Sequence, residues 1–256
     1  MSNRHGTPIW YELFATSGED AGAFYGKVVG WRVEQSATPG VDYRMLMTGD
    51  RGTGGILQLT DDMTAAGARP AWFGYIGVDD VDAAAEKVKA LGGEVHVPPT
   101  DIPGVGRFAF CVDPQGVMFY VMRGSSDQNS QAYDRGLVGA CGWNELYAAD
   151  PAAAFDFYGQ MFGWEKVGEM DMGPMGTYDF IGHAGDQIGA IMRNPPQSPM
   201  PHWNYYFRVE SIDAARAVVE AEGGTIAMGP HQVPTGDYVI GGFDPQGANF
   251  CLVGGK

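Results

Sequence analysis

Phe24-Tyr25-Gly26-Lys27-Val28-Val29-Gly30-Trp31 returns as Phe157-Tyr158-Gly159-Gln160-Met161-Phe162-Gly163-Trp164, a shift of 133 residues. Working outward, Trp10-Tyr11-Glu12-Leu13 matches Trp143-Asn144-Glu145-Leu146 at the same shift. At a shift of 131, Trp72 matches Trp203, Asp82-Ala83-Ala84 matches Asp213-Ala214-Ala215, and Gly92-Gly93 matches Gly223-Gly224. Asp113-Pro114-Gln115-Gly116 likewise matches Asp244-Pro245-Gln246-Gly247. Matching order over both halves means one fold duplicated. The polar run from Gly124 to Gln131 joins the copies, so the expected organisation is a first domain at 1–123, a linker at 124–138 and a second domain at 139–256.

Each copy divides again. A strand from about Pro8 to Thr16 leads into a short helix that Ser17 can cap, with Ala21, Phe24, Tyr25 and Val28 as its apolar stripe and Gly30 as its stop. In the second copy Asp150 is the cap and Pro151 stands in the first turn. Short strands follow around Tyr43 to Met47 and Gly55 to Thr60, with another at Trp31 to Gln35. A second unit starts at Trp72: a strand to Val78, a helix from Val81 to Leu91 capped by Asp80, then strands near Glu94 to Val97, Arg107 to Val112 and Val117 to Met122. The chain thus holds four β-α-β-β-β units, at about 8–60, 70–122, 141–193 and 201–253.

Composition narrows the function. The 256 residues are 45% hydrophobic and 18% charged, which excludes a disordered chain. A net charge of -15 disfavours nucleic acid and anionic membrane partners. The polar start before Pro8-Ile9-Trp10 has no signal-peptide character, so a cytoplasmic location is expected. Cys111, Cys141 and Cys251 are odd in number, widely spaced and set in apolar runs, as buried structural thiols are. Gly49 to Gly55 lacks a following Lys and opens no helix, which rejects a phosphate loop. No Gly-x-Ser-x-Gly elbow occurs.

Four such units, the Phe-Tyr-(x)4-Gly-Trp helix end and the Asp-Pro-Gln-Gly turn before the last strand of each half resemble the vicinal oxygen chelate superfamily. That superfamily includes glyoxalase I, extradiol dioxygenases and bleomycin-resistance proteins. The resemblance implies an α+β chain with two glyoxalase-like half-barrel domains. It also implies metal-ligand positions in each unit, on the concave sheet face. These fall on Trp10, Gln58, Phe73 and Tyr120 in the first half, and on Trp143, Met192, Asn204 and Cys251 in the second. Such residues supply too few carboxylates or imidazoles for a catalytic cation. No metal site and no cofactor are therefore expected, and Trp10, Gln58, Phe73, Tyr120, Trp143, Met192 and Asn204 are read instead as lining a ligand site.

Glu12 and Glu145 stand two residues beyond Trp10 and Trp143, so period-two alternation sends Trp and Glu to one face. A carboxylate in an aromatic hollow has a raised pKa and can act as a general base or bind a ligand's amine or hydroxyl. The alternative is a buried structural acceptor. His202, two before Asn204, shares a face with it and can carry a proton beside Glu145, or it can simply begin an exposed strand. His183 precedes a turn and reads as solvated. The preferred reading is a metal-independent small-molecule binding protein or enzyme, a monomer or homodimer, with an apolar, aromatic-lined pocket. A metal-dependent lyase or dioxygenase using Glu145 and His202 is the second reading, and a sequestering protein without chemistry the third.

Overall fold

A computed structural model describes residues 3–36 and 40–256. The first half runs β1 (Pro8–Ala15), α1 (Gly18–Val29), β2 (Arg32–Gln35), β3 (Tyr43–Thr48), β4 (Arg51–Gln58), α2 (Asp61–Ala65), β5 (Ala71–Gly77), α3 (Val81–Ala90), β6 (Glu94–Ile102), β7 (Gly106–Val112) and β8 (Met118–Gly124). The second half follows as β9 (Cys141–Ala148), α4 (Pro151–Phe162), β10 (Glu165–Asp171), β11 (Thr177–His183), β12 (Asp186–Arg193), β13 (His202–Ser211), α5 (Ile212–Ala221), β14 (Thr225–Gln232), β15 (Tyr238–Phe243) and β16 (Asn249–Gly255). Two eight-stranded mixed sheets result, ordered β2-β3-β4-β1-β5-β8-β7-β6 and β10-β11-β12-β9-β13-β16-β15-β14. The second order is the first with eight added to every label. This is the α+β architecture of two glyoxalase-like domains. None of the described helices is long and apolar enough to cross a membrane.

The expected caps are present. Ser17 accepts from Asp20 N, and Asp150 accepts from Ala152 N and Ala153 N. Gly30 and Gly163 end their helices with φ of 86° and 70°, where a side chain would be strained. Two boundaries differ from the sequence reading. β4 begins at Arg51, because Gly52, Gly54 and Gly55 lie within an extended strand after the turn at Gly49. β6 continues past Pro98-Pro99 to Ile102, which an edge strand allows because proline's missing N–H costs no ladder bond there. The short helix α2, capped by Thr60, went unforeseen.

The chain divides into two compact units. One comprises Met1–Ile9, Phe73–Ser130 and Asn144–Trp203; the other comprises Trp10–Trp72, Gln131–Trp143 and Asn204–Lys256. The repeated motifs are the locks inside each unit. In the first, Trp203 Nε1 donates to Tyr158 Oη (3.2 Å), and Tyr158 donates to Asp113 Oδ2 (3.1 Å). Asp113 Oδ1 takes the Gln115 and Val117 amides of its own turn, while the Gln115 side chain accepts from Asp150 N and donates to Asp150 O. Trp164 Nε1 donates to Gly6 O (2.8 Å).

The second unit repeats these bonds in its own terms. Trp72 Nε1 donates to Tyr25 Oη (3.1 Å), and Tyr25 to Asp244 Oδ2 (3.1 Å). Gln246 accepts from Ser17 N and donates to Ser17 O, and Trp31 Nε1 donates to Gly139 O (2.7 Å). The Asp-Pro-Gln-Gly turn therefore holds the cap residue and the tyrosine of a helix from the other half of the sequence. Apolar packing follows the same pairing: Phe119 against Phe157, Tyr158 and Phe162 in one unit, Phe250 against Phe24 and Tyr25 in the other.

Candidate functional site

Strand alternation decides which side chains leave the helix-packed side of each sheet. On β1, Tyr11 and Leu13 point into the core and are fully buried, so Trp10 and Glu12 take the opposite face. On β9, Leu146 is core, and Trp143, Glu145 and Tyr147 take the opposite face. Glu12 and Glu145 are each 5% exposed. Both stand beside a small residue on the neighbouring parallel strand: Glu12 pairs with Gly55, and Glu145 with Ala190.

That space is used by tyrosines. A Cβ on Gly55 would collide with the Tyr43 phenol, which lies over β4 and accepts a 2.8 Å hydrogen bond from Trp10 Nε1. Tyr178, opposite Met192 on β11, reaches across β12 and donates to Glu145 Oε2 at 2.7 Å. Sequence reasoning missed both tyrosines. Their signal was present, since each stands at or next to the start of the strand beside the one carrying the small residue, but it is visible only once the register is known.

Two rungs of side chains cross β9, β12 and β11 on this face: Glu145, Ala190 and Phe180, then Tyr147, Met192 and Tyr178. Met192 is buried, and Tyr147, Tyr178 and Phe180 on the same face are half-buried. The Tyr178 and Phe180 rings stand 5.8 Å apart at 79°. His202 packs its ring on Tyr147 (5.2 Å), and its Nδ1 lies 2.9 Å from Met200 O, so one imidazole nitrogen is occupied at the strand start. His183 is half-buried, and burial with the nearby Arg4 and His5 charges pushes its pKa down.

Phe73 and Tyr120 join a second aromatic face in the first unit, where Tyr120 stacks between Tyr75 (4.1 Å) and Phe110 (4.4 Å) and Phe73 meets Phe110 edge-on. Gln58 Oε1 accepts from Gly18 N at the start of α1. Trp143 packs against Tyr206, Cys251 and Val253 under the Arg135 guanidinium. Asn204 is buried and accepts from Asn249 Nδ2 at 2.7 Å.

A divalent cation does not fit these residues. Among the described residues no three His, Cys, Asp or Glu side chains come together as a metal-holding group. Cys251, at one of the family's ligand positions, faces Asn204 Oδ1 at 3.8 Å within an apolar cluster. Asp113 and Asp244, whose pKa values burial raises, are engaged by their own turns and by Tyr158 and Tyr25.

The family model described as Glyoxalase/Bleomycin resistance protein/Dioxygenase superfamily matches residues 8–121 and again 140–252. The chain is 30% identical over 256 residues to "Putative glyoxylase CFP32" of Mycobacterium tuberculosis (strain CDC 1551 / Oshkosh), covering 98% of this chain and 95% of that one. It is 31% identical over 277 residues to the anthracycline biosynthesis protein DnrV of Streptomyces peucetius, covering 97% and 93%. In fold it is similar to the crystal structure of 2,2',3-trihydroxybiphenyl 1,2-dioxygenase from Sphingomonas wittichii strain RW1, with a TM-score of 0.67 and 17% identity over 100% of this chain and 91% of that one.

Proposed function

The chain belongs to the glyoxalase/bleomycin resistance protein/dioxygenase superfamily, and from that premise we propose that it binds a small organic molecule on the β9–β12 face without using a metal ion. Glu145 is the polar contact, and Tyr147, Tyr178, Phe180 and Met192 form the apolar walls. The observation that carries this reading is the buried Glu145 carboxylate, met by a phenol at 2.7 Å and set among aromatic rings. Ligand sites are mostly apolar with a few placed polar groups, and this face has that character. The equivalent Glu12, with Trp10 and Tyr43, forms a second such face.

In this reading Glu145 accepts a proton or hydrogen bond from the ligand, and Tyr178 fixes the carboxylate's orientation. Catalysis would follow where the bound molecule carries an acidic proton; otherwise the protein is a binder. In this reading residues 1–123 and 139–256 are the two duplicated domains of the sequence, joined by 124–138, each compact unit drawing segments from both, and the protein is cytoplasmic.

The reading is tested by thermal shift against a panel of small aromatic molecules in EDTA, comparing the protein with Glu145→Gln. Hits are expected to persist in EDTA and to weaken about tenfold in the variant, the scale of one lost charge-assisted hydrogen bond. Hits that vanish with EDTA would contradict it.

A further inference from the structure

We propose that the molecule taken by the β9–β12 face is a planar aromatic cation, its positive group against Glu145 and its ring in the corner made by Tyr178 and Phe180. This rests on the function proposed above and names the class of ligand.

Charge is the first ground. Strands β9 to β12 contain two Lys or Arg residues, Lys166 and Arg193. Lys166 pairs with Ile181 and salt-bridges Asp179, both on the opposite side of β11 from Tyr178 and Phe180. Arg193 alternates with Met192 and donates to Ala149 O. The strands around Glu145 thus bring a carboxylate and no Lys or Arg to its face, and the Arg135 guanidinium over Trp143 is spent on that indole, a balance that favours a cationic over an anionic ligand. A chain charge of -15 attracts cations from a distance as well.

Shape is the second ground. Tyr178 and Phe180 meet at 79°, so one flat ligand ring can stack on one and receive the edge of the other. Both rings present π faces to a cation. The rungs Glu145-Ala190-Phe180 and Tyr147-Met192-Tyr178 span three strands, about 10 Å at the usual strand spacing, which suits a ligand of two or three fused rings.

The test uses proflavine, a planar three-ring cation, titrated by fluorescence into the full-length protein at physiological salt, with the anionic dye ANS as comparison. One-to-one proflavine binding is expected, weakened about tenfold by Glu145→Gln and several-fold by Tyr178→Phe. The exposed-carboxylate control Glu165→Gln should leave it unchanged. If Glu145→Gln fails to fold, Tyr178→Phe carries the comparison. Equal loss in Glu165→Gln, or proflavine affinity indifferent to both site variants, overturns the proposal. ANS binding that depends on Tyr178 while proflavine does not bind overturns the cationic class but leaves the proposed ligand site standing; neither dye binding sinks the class, and an empty panel in the thermal-shift test sinks the site.

Discussion

Tyr158→Phe removes one oxygen from the centre of a buried lock and tests the logic of the fold. That hydroxyl accepts from Trp203 Nε1 at 3.2 Å and donates to Asp113 Oδ2 at 3.1 Å, and all three residues are buried. The variant leaves the indole N–H without this acceptor and the carboxylate without this donor. Each buried group left short costs about 1–3 kcal/mol, so the pair should cost roughly 2–4 kcal/mol after partial relaxation. Tyr25→Phe, which interrupts Trp72 and Asp244 in the same way, should cost a similar amount in the other unit.

The loss should depend on pH. Burial raises the Asp113 pKa in the folded chain, and the Tyr158 hydrogen bond is among the contacts holding it down. With the folded pKa raised, the native state binds more protons than the unfolded state. The contribution of Asp113 to stability is therefore fully present below the unfolded pKa and lost as pH rises through the folded one. Tyr158→Phe pushes that pKa higher still, so the deficit should be largest at pH 7 and shrink as pH falls toward the unfolded value of about 3.9. Urea unfolding at pH 7 and pH 5 measures the deficit, and hydrogen exchange assigns it to a unit. A deficit below about 0.5 kcal/mol, the usual scatter of surface changes, or one that grows on acidification, would mean that Tyr158 does not lock Trp203 to Asp113.

Further predictions concern packing and thiols. Gly189→Ala would drive a Cβ into the Asn144 backbone carbonyl, which cannot move without breaking the sheet; a loss above about 2 kcal/mol is expected in denaturant melts. Gly55→Ala meets the Tyr43 ring rather than backbone, so that ring must swing off β4 and release Trp10; a cost of about 1–3 kcal/mol, with a change in Trp10 fluorescence, is expected. Burial pushes the Cys111 and Cys141 thiols up to about 12. Folded protein at pH 8 should therefore react with iodoacetamide far more slowly at these sites than urea-unfolded protein, as mass spectrometry would show.

Much of the fold was legible because it rests on local chemistry written twice. Ser17, Asp150, Gly30 and Gly163 announce helix ends through capping and positive φ, and the repeat of Tyr25 as Tyr158 and Asp113 as Asp244 marks the units. The partners of those residues were not legible. Asp-Pro-Gln-Gly reads locally as a good turn, and nothing local says that Asp244 will receive Tyr25 rather than Tyr158. Glu12 and Glu145 were visible as alternation partners of Trp10 and Trp143. Tyr43 and Tyr178 were not, because their reach to the site depends on register across β4 and β12. His202 was foreseen on the face, but its bond to Met200 comes from the Pro199-Met200-Pro201 turn, whose geometry no periodicity reports.

A ligand site that works without a metal ion makes a plain demand on the metal content of the purified protein. Elemental analysis of protein purified without chelator or metal-affinity resin should find far less than one equivalent of Fe, Mn, Ni and Zn together. Near-stoichiometric metal, lost in Glu145→Ala or His202→Ala, would instead make Glu145 and His202 metal ligands and rule out a metal-free site.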